Sequence, residues 1–192
     1  MARKKPLKVG FDLDGVILYN PARIVRPVFA LMRKLFLRKK KTAFYIPKTK
    51  LEKLFWLLVH KSSLFIAPGV NELQSLIEQN KIEAYIITGR YDSLKTDFDK
   101  WMERIEAKKY FKVYLHNAQE EQPFKFKKRM IKKFRLDIFV EDNWDIIQLL
   151  NNDHEMKTKI FWINNVLDRS VAYQYKFPSL KSAIEFLSRF VK

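Results

Sequence analysis

The chain contains no cysteine, which excludes disulfide bonds and every metal site built on thiolates. The N-terminal residues lack the apolar stretch and the small-residue cleavage site of a signal peptide. The apolar run Leu54–Val59 is far too short to cross a bilayer. We therefore expect a cytoplasmic protein with no transmembrane segment.

Histidine is scarce as well. The spacing of His60, His116 and His154 does not suggest a metal site. The chain has no internal repeat, and low complexity is limited to the short basic run Arg38–Lys41. Repeat architectures and histidine-based metal centres are therefore not indicated.

Acidic residues are few relative to basic ones, at 21 against 38, so the net charge is +17. Residues 1–61 hold 16 Lys and Arg but only 3 acids, which places most of the positive charge in the first third of the chain. This asymmetry indicates either an anionic partner, such as a nucleotide, nucleic acid or acidic lipid, or a basic face that only aids solubility. Charge alone does not separate the two.

Apolar strands and amphipathic helices alternate through most of the 192 residues. The predicted strands cover residues 7–11, 82–88, 111–117, 136–142 and 158–164. The predicted helices cover residues 68–80, 93–107, 125–134, 143–152 and 179–191. This pattern predicts an α/β fold with a doubly wound, Rossmann-like parallel sheet that helices cover on both faces.

Residues 19–66 interrupt the alternation, since they show no strand pattern and contain two predicted helices punctuated by Pro27 and Pro47. A plain strand-to-helix connection needs only a few residues. We interpret residues 19–66 as a basic helical cap inserted after the first strand, and residues 1–18 and 67–192 as the core. The cap is a candidate lid.

Two aspartates, Asp12 and Asp14, follow the first strand in KVGFDLDGVIL. Burying carboxylates is costly unless a cation or several donors meet them, so the pair calls for a functional explanation. Ligands of open parallel sheets bind at the carboxyl ends of the strands. Other polar residues are predicted at that edge: Thr88, Glu141, Asp142, and a helix-opening lysine among Lys125, Lys127 and Lys128.

This ordered set of motifs resembles the haloacid dehalogenase-like phosphatases. In that family a DxDG motif ends the first strand, a Thr or Ser ends the second, a Lys precedes the fourth, and an acidic pair ends it. The resemblance covers essentially the whole chain. It implies a magnesium-dependent phosphomonoester hydrolase that acts through an aspartyl-phosphate intermediate.

The resemblance also implies residue roles. Asp12 attacks phosphorus, while Asp14 protonates the leaving oxygen and later deprotonates the attacking water. Thr88 and the amide of Gly89 bind phosphate oxygens, and Gly15 permits the tight backbone turn. A dehalogenase does not need the second aspartate, so phosphoryl chemistry is favoured, with a phosphomutase as an open alternative.

Two positions near these motifs carry alternatives. Lys127 is favoured as the catalytic lysine because it begins the apolar pattern of its helix, but Lys125 and Lys128 stay open. Arg90 either contacts the phosphorylated substrate or pairs with a carboxylate such as Asp92. His116 and Asn117, after the third strand, are expected near the same edge.

Magnesium is the cofactor that the resemblance implies, because it takes hard oxygen ligands. Its ligands would be the Asp12 side chain, the Asp14 backbone carbonyl and Asp142, with Glu141 binding directly or through water. The family more often has Asp-Asp or Gly-Asp in the last motif, so the division between Glu141 and Asp142 stays open. Asp145 either supports the metal site or stabilises the start of a helix.

The basic, aromatic cap bears on the substrate. Arginine beside aromatic rings can hold a nucleotide by charge and stacking, and the deoxyribonucleotidase-like branch has a helical cap at this place. A nucleoside monophosphate is therefore the leading predicted substrate, unless the aromatics only pack the cap onto the core. Alternatives are nucleic-acid binding, including a polynucleotide-end phosphatase, and an anionic membrane surface contacted by residues 28–41. Oligomeric state is not readable from the sequence.

Overall fold

The structure is a computed structural model and describes residues 5–19, 49–52, 54, 65–165 and 168–190. Its strands are β1 (Leu7–Phe11), β2 (Leu18–Tyr19), β3 (Phe65–Ile66), β4 (Ile82–Tyr91), β5 (Phe111–Asn117), β6 (Ile138–Glu141), β7 (Lys159–Ile163) and β8 (Lys176–Phe177). Six of them form one sheet in the order β5-β4-β1-β6-β7-β8, and every pairing in it is parallel. The predicted parallel sheet is confirmed.

Helices cover both faces of this sheet. They are α1 (Val70–Glu78), α2 (Lys95–Arg104), α3 (Ala107–Tyr110), α4 (Pro123–Phe134), α5 (Trp144–Asn151) and α6 (Leu180–Phe190). Ala84 and Ile86 of β4 pack into the cluster that includes α1, α2 and α6, whereas Tyr85 and Ile87 pack into the cluster that includes α4 and α5. Side chains of a strand alternate between faces, so this division is that of a doubly wound sheet.

The structure departs from the predicted boundaries in β4, which continues to Tyr91 instead of ending at Thr88. The pairing with β5 passes from Ile87↔Leu115 directly to Tyr91↔Asn117. Residues 88–90 therefore lie in a bulge, where the strand bends and its side chains are re-aimed. Apolar periodicity does not register such a bulge, because it is a property of the pairing between two strands.

A second, two-stranded sheet lies at the base of the predicted cap. Tyr19 of β2 pairs with Phe65 of β3 in antiparallel register, so the two ends of the predicted cap lie side by side. Thr49 and Glu52 cap the start of a helix, since each backbone amide donates to the other side chain, at 2.9 and 3.2 Å. The first cap helix, its basic and aromatic residues and His60 lie outside the described residues, and the domain division stays a prediction.

Residues 93–107 were expected to form one helix, but three elements replace it. A short 3-10 turn (Asp92–Leu94) precedes α2, and α3 follows Glu106. Glu106 has a φ of 51°, and a left-handed residue ends an α-helix. Among the described residues, no helix is long and apolar enough to cross a bilayer.

Candidate active site

The carboxyl end of β1 lies at the centre of the sheet. Phe11 pairs with Ile86 of β4 on one side and with Val140 of β6 on the other. The amide of Asp12 continues the ladder by donating to the carbonyl of Val140 at 2.9 Å. Asp12, directly after β1, and Glu141, the last residue of β6, therefore lie at the same edge of the sheet, as the sequence predicted.

Lys127 joins the two acids. Its Nζ lies 2.8 Å from Oδ2 of Asp12 and 2.6 Å from Oε2 of Glu141, and the side chain is only 2% exposed. The side chain of Lys125 is exposed and that of Lys128 is half-exposed. Of the three lysines left open by the sequence, Lys127 is the one that the fold brings to the carboxylates.

Helix α4 positions Lys127 by packing closely on the sheet. Pro123 stands at the start of the helix, and the buried side chains of Phe126 and Ile131 face the core with Lys127 between them. A Cβ added to Gly89 of β4 would lie 3.0 Å from Cβ of Pro123. Gly89 therefore has a packing role, since it lets the start of α4 approach the bulged strand.

Glu141 is held at both of its oxygens. Oε2 accepts from Lys127, while Oε1 accepts from the backbone amides of Asp142 at 3.1 Å and Asn143 at 3.0 Å. The longer glutamate side chain thus folds back over the loop that follows β6. This loop also carries Asp142, whose carbonyl accepts from Nε1 of Trp162 at 3.4 Å.

The carboxylates of Asp12, Glu141 and Asp142 offer oxygen atoms that all lie within 4.8 Å of one another, and all three residues are buried. Three ionised acids beside one ammonium leave a formal charge of −2. Buried charge of this size is costly unless it is balanced, and a divalent cation supplies the balancing charge. Hard oxygen ligands suit Mg²⁺, so the residues fit the ion that the resemblance implies.

The pKa values show the cost of burying these acids. Burial raises the pKa of Glu141 to about 8, against the opposing effect of the Lys127 ammonium. Burial also raises the pKa of Asp12, and the neighbouring Asp142 adds to the shift. Burial alone would lower the pKa of Lys127, but Asp12 and Glu141 outweigh it and raise that pKa.

Asp14 is bound by a different cation. Arg90 donates from Nε to Oδ2 and from Nη2 to Oδ1 of Asp14, both at 2.7 Å, and from Nη1 to Oδ2 of Asp97, also at 2.7 Å. Arg90 therefore pairs with carboxylates, as one of its two alternatives expected, but its partners are Asp14 and Asp97 and not Asp92, whose Oδ1 lies 3.1 Å from Nε2 of His116. The bulge turns Arg90 towards Asp14.

Asp97 is a residue that sequence reasoning missed. It belongs to the first turn of α2, where an acid is ordinarily explained by the helix dipole. Its contact to Arg90 depends on how α2 packs beside β4. Three of the five N–H donors of the buried Arg90 bind carboxylates. Because Asp97 holds Arg90 in place, the two hydrogen bonds from Arg90 fix the orientation of the Asp14 carboxylate.

Replacing Arg90 with Gln is expected to lower the free energy of unfolding by about 3 kcal/mol, because a buried Asp14 then loses its counter-ion. Denaturant unfolding measures the loss, and adding Asp14→Asn is expected to recover part of it. Arg129→Gln removes an exposed arginine paired with Glu121 and serves as the matched control, with a much smaller loss. Equal losses in the two single variants would contradict the buried pair.

The remaining predicted residues occupy the same edge. Thr88 is buried and its Oγ1 accepts from the amide of Arg90 at 3.3 Å. Gly15 has a φ of 81°, which favours glycine, and its amide donates to the carbonyl of Leu18 at 2.8 Å. The tight turn predicted after Asp14 is therefore present.

Asn117 and Asp145 have contacts that stabilise the backbone near the site. Asn117 is fully buried and binds the backbone of Glu121, donating to its carbonyl at 2.6 Å and accepting from its amide at 3.1 Å. It thereby holds the loop that leads to α4. Asp145 is exposed in the first turn of α5, after the cap residue Asn143, which agrees with its helix-stabilising alternative.

No protein-family model matches the sequence, and no curated protein matches it either. Solved structures do match in fold. A HAD-superfamily hydrolase from Ehrlichia chaffeensis is 12% identical, with a TM-score of 0.55 over 100% of both chains. A HAD hydrolase of family IA, variant 3, from Entamoeba histolytica is 12% identical, with a TM-score of 0.57 over 93% of this chain and 99% of that chain.

A third structure, CbbY from Rhodobacter sphaeroides in complex with phosphate, is 12% identical, with a TM-score of 0.56 over 93% of this chain and 98% of that chain. These similarities do not single out the deoxyribonucleotidase-like branch. Identities this low establish the fold only. The chain has the α/β fold of the haloacid dehalogenase superfamily hydrolases.

Proposed function

We propose that this protein is a magnesium-dependent phosphomonoester hydrolase in which Asp12 is the nucleophile. The observation that carries the proposal is the buried cluster of Asp12, Lys127, Glu141 and Asp142, which holds three carboxylates against one ammonium. A nucleophile beside an ammonium and a cation site meets the needs of phosphoryl transfer. The HAD fold and the order of the motifs along the chain support the same reaction class.

The reaction would run in two steps. An oxygen of Asp12 attacks phosphorus, the bond from phosphorus to the substrate oxygen breaks, and Asp14 gives its proton to that leaving oxygen. Water then attacks phosphorus and gives a proton to Asp14, which releases inorganic phosphate and restores the Asp12 carboxylate. Lys127 remains cationic throughout and offsets the negative charge on Asp12 and on the phosphoryl group.

Arg90 influences the proton transfers that Asp14 makes in the two steps. The paired guanidinium stabilises ionised Asp14, the form that takes the proton from water in the second step. The first step needs protonated Asp14, which has no charge to pair with Arg90, so the ion pair must weaken when a substrate binds. Thr88 and the Gly89 amide are proposed to bind phosphate oxygens beside Asp12.

Magnesium would be held by Asp12, Asp142 and the Asp14 carbonyl, with Glu141 as a further carboxylate close to it. When bound, the ion would polarise the phosphoryl group and balance the charge of the buried acids. Glu141 stays the residue whose direct contact with the ion is undecided, because both of its oxygens already accept hydrogen bonds.

Magnesium binding is expected to depend on pH through Glu141, whose pKa is raised to about 8 in the metal-free protein. Below that pH the ion must displace a proton, so its affinity should rise about tenfold per pH unit and level off above pH 8. Titration calorimetry in buffers of different ionisation enthalpy measures both the affinity and the proton release. An Mg²⁺ affinity that does not change from pH 6 to pH 8 would contradict the role of Glu141 in this pH dependence. The same pH dependence in Glu141→Gln as in the wild type would contradict it too.

The substrate is proposed to be a small phosphate ester, with a nucleoside monophosphate as the leading candidate. CbbY, a structural neighbour, was crystallised with phosphate. Apart from Lys50, the basic and aromatic cap residues on which the nucleotide prediction and the nucleic-acid alternative depend lie outside the described part of the chain. We keep a cytoplasmic location as part of the proposal.

Phosphate release from a panel of nucleotides, sugar phosphates and one aryl phosphate tests the proposal. Turnover is expected with Mg²⁺ and should disappear with EDTA, and the ranking of esters would identify the substrate class. A folded protein that binds Mg²⁺ but hydrolyses none of these esters would overturn the proposal as stated for small substrates.

A further inference from the structure

A cavity of about 1030 Å³ lies at the end of the sheet opposite to the candidate active site. Its lining includes Leu7, Ile138 and Lys159, which are the first residues of β1, β6 and β7. Asp12 and Glu141 stand at the other ends of β1 and β6. The cavity and the acidic cluster are therefore separate sites on one sheet.

The floor of the cavity is apolar. Ile131, Leu136, Ile138 and Phe161 contribute to the lining and are buried. Phe190, at the end of α6, also lines the cavity and leaves 45% of its surface exposed. Lys159 lies over this ring, with Nζ 5.4 Å from the ring centroid, and an exposed aromatic ring next to a cation is suited to a flat, anionic organic group.

The walls of the cavity are basic. Six cationic side chains line it: Lys5, Lys81, Lys132, Arg135, Lys157 and Lys159. The lining also holds two acids, Asp137 and Glu155, and Lys132 is paired with Glu155 at 3.1 Å and with Asp153 at 2.8 Å. Within the described residues, Lys81 and Lys157 have no ion-pair partner.

We propose that this cavity binds an organic polyanion of nucleotide size, with nucleoside-triphosphate chemistry. The base would lie against Phe190 and the apolar floor, while the phosphates would meet Lys81, Lys157 and their basic neighbours. The volume is at the upper end of the range of about 300–1000 Å³ found for small-molecule sites. Inorganic phosphate alone would leave most of this space and the aromatic ring unused.

Stabilisation of helix ends is a competing explanation for some of these cations. Helix α1 ends at Glu78 and α4 at Phe134, and cations near helix C-termini are stabilising. This explains Lys81 and Arg135. It does not explain Lys5, which precedes β1, Lys157, which lies in the loop between α5 and β7, or Lys159, which begins β7.

Binding of a fluorescent, non-hydrolysable nucleoside triphosphate in EDTA tests the proposal. The double variant Lys81→Gln/Lys157→Gln is expected to weaken binding about tenfold or more, since it removes two cations that attract the phosphates. Lys100→Gln/Lys108→Gln removes the same charge from exposed sites outside the lining and is expected to bind like the wild type. Phosphate release by the Lys81→Gln/Lys157→Gln variant should be unchanged, which separates this test from that of the proposed hydrolase.

Inorganic triphosphate is the second probe. It is expected to bind more weakly than the nucleotide, and Phe190→Ala should weaken the nucleotide but not the triphosphate. Equal binding of the two probes would overturn the nucleotide class. Three results would overturn the site. The first is an unchanged nucleotide affinity in Lys81→Gln/Lys157→Gln, and the second is an equal loss of affinity in the control variant. The third is a loss of thermal stability in Lys81→Gln/Lys157→Gln without a loss of nucleotide binding.

Discussion

Asp12→Asn is expected to reduce phosphate release by at least roughly a thousandfold, because the variant loses the nucleophile of the first step. The fold should survive the change. Since burial raises the pKa of Asp12, ionised Asp12 is less stable in the folded protein than in the unfolded chain at neutral pH. A neutral, isosteric side chain removes that cost while keeping an oxygen near Lys127.

The measurement is the steady-state rate of phosphate release with saturating Mg²⁺, alongside thermal unfolding of the metal-free protein. Asp145→Asn makes the same chemical change at an exposed residue in the first turn of α5. This control variant is expected to keep wild-type rates. Substantial turnover by Asp12→Asn would remove Asp12 from the mechanism. An equal loss of phosphate release in Asp145→Asn would show that Asp12→Asn acts by changing the net charge near the site and not by removing the nucleophile.

Lys127→Met is expected to have the largest effect on stability, about 3–5 kcal/mol at pH 8 in the metal-free protein, because Asp12 and Glu141 lose their shared cation. The loss should depend on pH. With the ammonium gone, the carboxyl pKa values rise further above those of the unfolded chain. Stability of the variant is then present at low pH and lost as the pH rises through those pKa values.

Urea unfolding of the wild type and Lys127→Met at pH 5 and pH 8 measures this difference. The gap between the two proteins should narrow at pH 5, where Glu141 is protonated in both. Lys128→Met, one position along α4 and paired with Asp153 at 3.1 Å, is the control and should show a small effect that does not grow with pH. A gap that is independent of pH would show that Lys127 contributes by packing and not by charge.

The sequence was sufficient to predict the parts of the fold that follow from one strand or helix at a time. Continuous apolar strands and amphipathic helices predicted the parallel sheet, and the carboxyl-end rule predicted that Asp12 and Glu141 would lie close together, where Lys127 now bridges them. Lys127 could be favoured over its neighbours because it begins the apolar pattern of its helix, whose members Met130 and Ile131 are buried in α4.

The contacts of Arg90 could not be predicted in this way. They depend on the bulge in β4, and bulges arise from the register of two strands and not from the pattern of one. The partner Asp97 lies on α2, so its contact requires the packing of a helix on a bent strand. Sequence spacing suggested the nearer Asp92, which pairs with His116. Strand β8 was missed because it has two residues and no periodicity to detect.

The central claim, that Asp12 carries the phosphoryl group, is tested most directly by trapping the covalent intermediate. Asp14→Asn should still accept a phosphoryl group from an aryl phosphate, whose leaving group needs no acid, but should hydrolyse the intermediate slowly for lack of a base. Acid quenching and peptide mass spectrometry are expected to find one phosphoryl group on Asp12. Turnover of the same ester with Asp12 unmodified, in both the wild type and Asp14→Asn, would contradict the account.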